Sequence, residues 1–122
     1  MQLSPRRESF TSGDQAWLGS SHGTGNARTF TIDVTASAAK ISQGRIKSGE
    51  PFAIVNGLGV PYNASGSAGT NILAVFLLTD IPVTAGAGNV VAAGLDHGRI
   101  RLSRLPSTVA ADATTSGQFV FV

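Results

Sequence analysis

The sequence predicts a mainly β fold, a small β-barrel or β-sandwich with little helix, and three observations carry that expectation. Residues 28–34, Arg-Thr-Phe-Thr-Ile-Asp-Val, alternate polar and apolar, which puts Phe30, Ile32 and Val34 on one face of a strand. Residues 52–55 and 72–78 are unbroken apolar runs of strand length, the pattern of a buried strand. Gly-rich turn signals separate such segments at intervals of roughly a dozen residues, the punctuation of an all-β domain.

In chain order, residues 1–26 fit neither a period of 3.6 nor a period of 2, and read as an extended N-terminal arm ahead of one domain over residues 27–122. Phe10, Trp17 and Leu18 stand among polar residues in this arm. Each is worth roughly 1.5–3 kcal/mol when buried, so they need a surface, either their own domain or another chain. Residues 35–42 read as a connection. In residues 43–55, Ser48-Gly49-Glu50-Pro51 supplies turn chemistry and Phe52 starts a strand, which leaves Lys47 and Glu50 as surface residues of the turn. Residues 56–71, with Gly57, Gly59, Gly66, Gly69 and Pro61, read as a loop or loose hairpin around Val60 and Tyr62.

The second apolar run ends at Asp80 and Pro82, a turn follows at residues 85–88, and residues 89–93 form a short strand of small side chains. Residues 98–102 alternate again, with Ile100 and Leu102 inward and Arg99 and Arg101 outward. Residues 106–115 predict a short Ala-rich helix with Ser107 as N-cap and Asp112 inside it. Residues 118–122 close the chain as a strand with Phe119 and Phe121.

Composition sets bounds on the class of protein. A chain of 122 residues and 12.4 kDa suits one domain, but the abundance of small side chains makes for a thin core. Cysteine is absent, so disulfides do not reinforce it, and association with partners is the other remedy. With 42% hydrophobic and 13% charged residues the chain is not of disordered type. The net charge of +2 is small, and the sparse charge set exaggerates the pI of about 9.7. Neither Arg6-Arg7 nor the group Arg99, Arg101 and Arg104 has interleaved aromatic residues, so no nucleic-acid partner is expected. No apolar segment follows Arg6-Arg7, and the longest apolar run falls well short of the roughly 20 residues that span a bilayer. Synthesis in the cytoplasm and no membrane partner are the expectation, and Asn63-Ala64-Ser65 then reads as a polar loop rather than a glycosylation site.

Catalytic signals are sparse. Gly86-Ala87-Gly88-Asn89 lacks the third glycine of a dinucleotide fingerprint and precedes strand-like sequence. His22, His97 and the aspartates lack metal-ligand spacing, and no G-x-S-x-G occurs. Asp96 and His97 are neighbours that would point to opposite faces of a strand, which excludes a simple dyad. No catalytic, metal or cofactor residue is therefore expected. Arg99 and Arg101 form a solvated strand face, with an acidic patch on a partner as the functional alternative.

One further pattern concerns order and spacing. Ser9-Phe10, Gly13-Asp14, Trp17-Leu18-Gly19-Ser20 and His22-Gly23 are followed by Gly44-Arg45-Ile46-Lys47-Ser48-Gly49-Glu50-Pro51, then His97-Gly98-Arg99-Ile100 and Leu105-Pro106. In this order the motifs resemble the head decoration proteins of tailed bacteriophages, particularly those of actinobacteria, and the chain is more distantly similar to the lambda-type decoration proteins. The chain departs from the pattern at Ala74-Val75-Phe76, where a Gly before the Phe is expected.

The resemblance implies a non-enzymatic cement protein, a homotrimer on the outside of the expanded head at threefold and quasi-threefold positions. Its partners would be the major capsid protein and its own copies, and its place the virion surface after synthesis in the host cytoplasm. Carried over by position, Phe10, Asp14, Trp17, Leu18 and His22 would form the capsid-binding arm, with Lys47, Glu50, Arg99 and Arg101 as trimer or capsid contacts. The alternatives are a tail or baseplate β-module or a minor capsid subunit, and more remotely a small hydrolase acting through His22 or His97.

Overall fold

The computed structural model describes residues 15–20, 22–84, 86 and 88–122, and the chain is mainly β. The strands are β1 (Arg28–Ile32), β2 (Arg45–Ile46), β3 (Pro51–Val55), β4 (Leu58–Pro61), β5 (Val75–Leu77), β6 (Ile81–Pro82), β7 (Val90–Leu95), β8 (His97–Ile100) and β9 (Gln118–Phe121). Five of them close a barrel in the order β1-β4-β3-β5-β7, with β7 returning to β1. The β1–β4 pair is parallel and the other barrel pairs are antiparallel. Outside the barrel, β2 pairs with β6, and β8 pairs in parallel with β9.

Large apolar side chains fill the barrel interior, and glycine makes room for them. On β1 the Phe30 ring occupies space that Gly59 and Gly94 leave open. A Cβ at Gly59 would stand 2.7 Å from that ring, and one at Gly94 2.9 Å. Ile32, Phe52, Val75, Leu77 and Ala92 belong to the same core.

A second core lies against the outside of the barrel, built from Trp17, Leu73, Phe76, Leu95, Ile100 and Val109. Strand β5 serves both, with Val75 and Leu77 in the first and Phe76 in the second, which is why its sequence is apolar at every position. The scarcity of side-chain volume is thus met by two small cores sharing one wall.

The structure sharpens two expectations and overturns a third. The segment after β3 is a tight hairpin rather than a loose one: Asn56 and Gly57, at φ 52° and 78°, form the two-residue turn of a right-twisted β-hairpin, with Val55 opposite Leu58. The strand expected over residues 98–102 runs over His97–Ile100 and passes into a 3-10 turn at Leu102–Arg104. The helix expected over residues 106–115 does not form. There the backbone is used for bridging: Leu73 N–H donates to Thr114 O, Ser116 N–H to Leu73 O, and Val109 is buried in the second core.

Candidate functional site

The residues singled out by the sequence gather mainly along one seam, where residues 17–19 pair with β8 and His22 and Gly23 meet His97 and Gly98. Trp17 O accepts from Arg101 N–H at 2.7 Å, Gly19 N–H donates to Arg99 O at 2.9 Å, and Leu18 bridges Ile100 in antiparallel fashion. This short piece therefore acts as a strand on the edge of β8 opposite β9. Close backbone approach sets which residues fit. A Cβ on Gly19 would meet Arg99, one on Gly23 would meet the His97 carbonyl, and one on Gly98 would meet the His22 carbonyl.

Trp17 is where the structure departs most from the expected arm. It is fully buried in its own domain, tilted against Phe76 with ring centroids 5.7 Å apart. Its indole N–H donates to Ser48 Oγ at 3.0 Å; that hydroxyl donates onward to Leu78 O at 2.8 Å. The slot exists because residue 49 is glycine: its φ is +89°, and a Cβ there would lie 2.7 Å from the indole ring. Trp17 is thus a core residue and not a surface anchor, and Leu18, half-buried, packs on the same core. Phe10 and Asp14 lie outside the described residues.

Glu50 is also corrected. Expected at the surface of the turn, its side chain is only 5% exposed and faces Lys40 Nζ at 3.3 Å. Ser107 Oγ donates to its carboxylate at 2.8 and 2.9 Å and accepts from Lys40 Nζ at 3.1 Å. The expected helix N-cap is in this way occupied as a partner of a buried carboxylate, a group whose burial is costly unless it is paired and hydrogen-bonded. Lys47, by contrast, is exposed. It lines an open cleft of about 300 Å³ with Arg45, Arg104 and Asp80, and Asp80 is itself held by Ser48 N–H at 2.7 Å and Arg45 Nε at 3.5 Å.

Asp96 and His97 do form a pair, with Oδ1 2.8 Å from Nδ1. The expectation of opposite faces fails because β7 ends at Leu95 and β8 begins at His97, so the pleat is broken at Asp96 and the two side chains swing together. His22 meets the His97 ring edge-on, with centroids 5.2 Å apart. The other ring nitrogen of His97 is turned towards Gly23, where a Cβ would stand 3.0 Å from Nε2, and among the described residues no hydroxyl is hydrogen-bonded to it. Among the described residues no group of three His, Asp or Glu side chains gathers to hold a metal ion, and no helix is long and apolar enough to cross a membrane.

Arg99 and Arg101 are exposed, and the ladder sets them beside β9: Arg99 pairs with Val120 and Ile100 with Phe121. Paired residues share a face, so Arg99, Arg101, Val120 and Val122 lie outward, and Ile100, Phe119 and Phe121 face the second core. The sequence reading missed Val120 and Val122. Their signal was present in the uncharged run at residues 118–122, but which face it bares depends on the pairing with β8. Comparison with known proteins gives no matching family model, no similar curated protein and no matching solved structure.

Proposed function

We propose that the chain is a head decoration protein of a tailed bacteriophage, a cement subunit that binds as a homotrimer at threefold and quasi-threefold positions outside the expanded capsid. Its work is mechanical: it bridges neighbouring copies of the major capsid protein and resists the pressure of packaged DNA. It requires no cofactor and carries out no reaction, and it resides on the virion surface.

The observation that carries this reading is the convergence of the motifs behind the resemblance. Scattered along the sequence, they meet in space: Trp17 on Ser48 and Gly49, Gly19 on Arg99, His22-Gly23 on His97-Gly98, and Glu50 on Ser107 just after Leu105-Pro106. A motif set that converges on glycine contacts, a buried indole and a buried ion pair is what a structural lock requires. Such a lock fixes the segment where the N-terminal residues enter the domain, with Gln15 Nε2 donating to Leu78 O at 2.8 Å. Many such subunits on a closed shell would act together through multivalency, each contact being weak alone.

The test is binding of the purified chain to expanded and unexpanded heads assembled from the cognate major capsid protein, read by co-sedimentation. Saturable binding to expanded heads is expected, at a copy number approaching that of the major capsid protein. A scarce, tail-associated copy number in virions would instead favour the tail or baseplate alternative.

A further inference from the structure

We infer that the open edge of β9 is a docking site for an extended strand of a partner protein in which acidic and apolar residues alternate. This goes beyond the proposed function and does not depend on it, since it concerns an edge that any partner strand of this chemistry could complete.

Among the described residues nothing pairs with the outer backbone edge of β9. Gln118 N–H donates to Asp96 O and Val122 N–H to Ile100 O, so these residues turn their backbone groups to β8. By alternation the N–H and C=O groups of Phe119 and Phe121 point the other way, and among the described residues they have no hydrogen-bond partner. Folded proteins protect such edges with charge, proline or a covering element. Residues 118–122, Gln-Phe-Val-Phe-Val, contain neither charge nor proline, and Val120 and Val122 are 54% and 56% exposed. An edge left in this state calls for a strand to cover it.

The two faces of β9 define what that strand must carry. On the inner side Phe119 and Phe121 are stacked at 6.1 Å, half-buried at the rim of the second core, and apolar side chains on an added strand would extend that core. On the outer side Arg99 and Arg101 stand one strand further in, so an added strand lies about 10 Å from them, two strand spacings. An arginine and a glutamate span that distance by leaning over Val120 and Val122, whose methyl groups would cover their stems. The incoming strand is therefore apolar inward and acidic outward.

A second copy of this chain suits the site poorly. Among the described residues its carboxylates are mostly engaged: Glu50 with Lys40 and Ser107, Asp80 with Arg45 and Ser48, Asp96 with His97, and Asp33 with the Ala36 N–H. Asp112 is the exception, in a turn away from any strand. Among the described residues, charge complementarity thus points to a foreign chain. Adding a strand at this edge would give affinity through backbone hydrogen bonds and selectivity through alternate side chains.

The test uses the full chain and two short synthetic peptides, one alternating glutamate with valine and one alternating lysine with valine, with amide hydrogen exchange followed by NMR. The glutamate peptide is expected to slow exchange at Phe119 and Phe121. The variant Arg99→Glu/Arg101→Glu, changed only at exposed sites, should weaken that peptide several-fold and favour the lysine peptide. Val120→Lys should weaken both while leaving the melting temperature close to that of the parent chain. The inference is overturned if these amides are unaffected at saturating peptide, if both peptides act equally on the parent chain, or if Phe119 and Phe121 become protected on raising protein concentration alone. Capsid binding that persists unchanged in Val120→Lys would leave the decoration reading intact while placing its contact elsewhere. Peptide binding without capsid binding would do the reverse.

Discussion

At the scale of single residues, Trp17 and Gly49 form the contact on which the entry of the chain into its domain depends. Trp17→Ala is expected to cost about 3–5 kcal/mol in a urea titration, a large share of the roughly 5–15 kcal/mol that holds a domain together. Gly49→Ala should also destabilise, both by its left-handed φ and by the contact of the new Cβ with the indole. In the Trp17→Ala background that second component disappears, so the double-mutant cycle should show coupling, whereas strict additivity would mean the two do not share the slot. Glu50→Gln leaves Lys40 without its charge partner. Because Lys40 is partly exposed and can turn to water, the expected loss is about 1–2 kcal/mol rather than the full cost of a broken buried pair. Ser37 presents the opposite case. Among the described residues its buried hydroxyl has no partner, so Ser37→Ala should be neutral or stabilise by up to about 1 kcal/mol. The sequence showed that a tryptophan in a polar stretch must be covered by something. It could not show that the cover is Ser48-Gly49, because that pairing belongs to the tertiary fold.

At the scale of elements, strands with a strong local pattern were legible and those defined by pairing were not. Residues 28–34 announce β1 by alternation, and the apolar run at residues 72–78 announces a strand buried on both sides. Asn56-Gly57 is a strong local hairpin signal that the many nearby glycines obscured. The helix expected after Pro106 failed because Ser107 and the Thr114 carbonyl are drawn to Glu50 and Leu73, contacts that no local propensity encodes. The Asp96–His97 pair was missed because a strand boundary falls between the two residues. Residues 17–19 now read as a short added strand of the domain, which yields a deletion series. Removing residues 1–14 retains the pairing from Trp17 to Gly19 and should lower the thermal unfolding midpoint less than the longer deletion does. Removing residues 1–23 takes Trp17 from the core and should lower the midpoint sharply. Equal transitions for the two deletions would show that the seam with β8 contributes nothing to stability.

At the scale of the whole molecule, the fold meets a shortage of side-chain volume by dividing its apolar residues between a closed barrel and a second layer that β5 shares with it. Closure leaves the barrel strands no free edge, so the exposed edge of β9 and the exposed Val91 on the barrel wall remain as surfaces that association could cover. A homotrimer by light scattering is the expected state of a decoration subunit before or on assembly. The most direct test is co-sedimentation with expanded heads of the cognate major capsid protein, followed by thermal challenge of the decorated particles. Saturable binding that raises the temperature at which the heads release their DNA is expected. A strictly monomeric protein that binds neither expanded nor unexpanded heads would contradict the assignment.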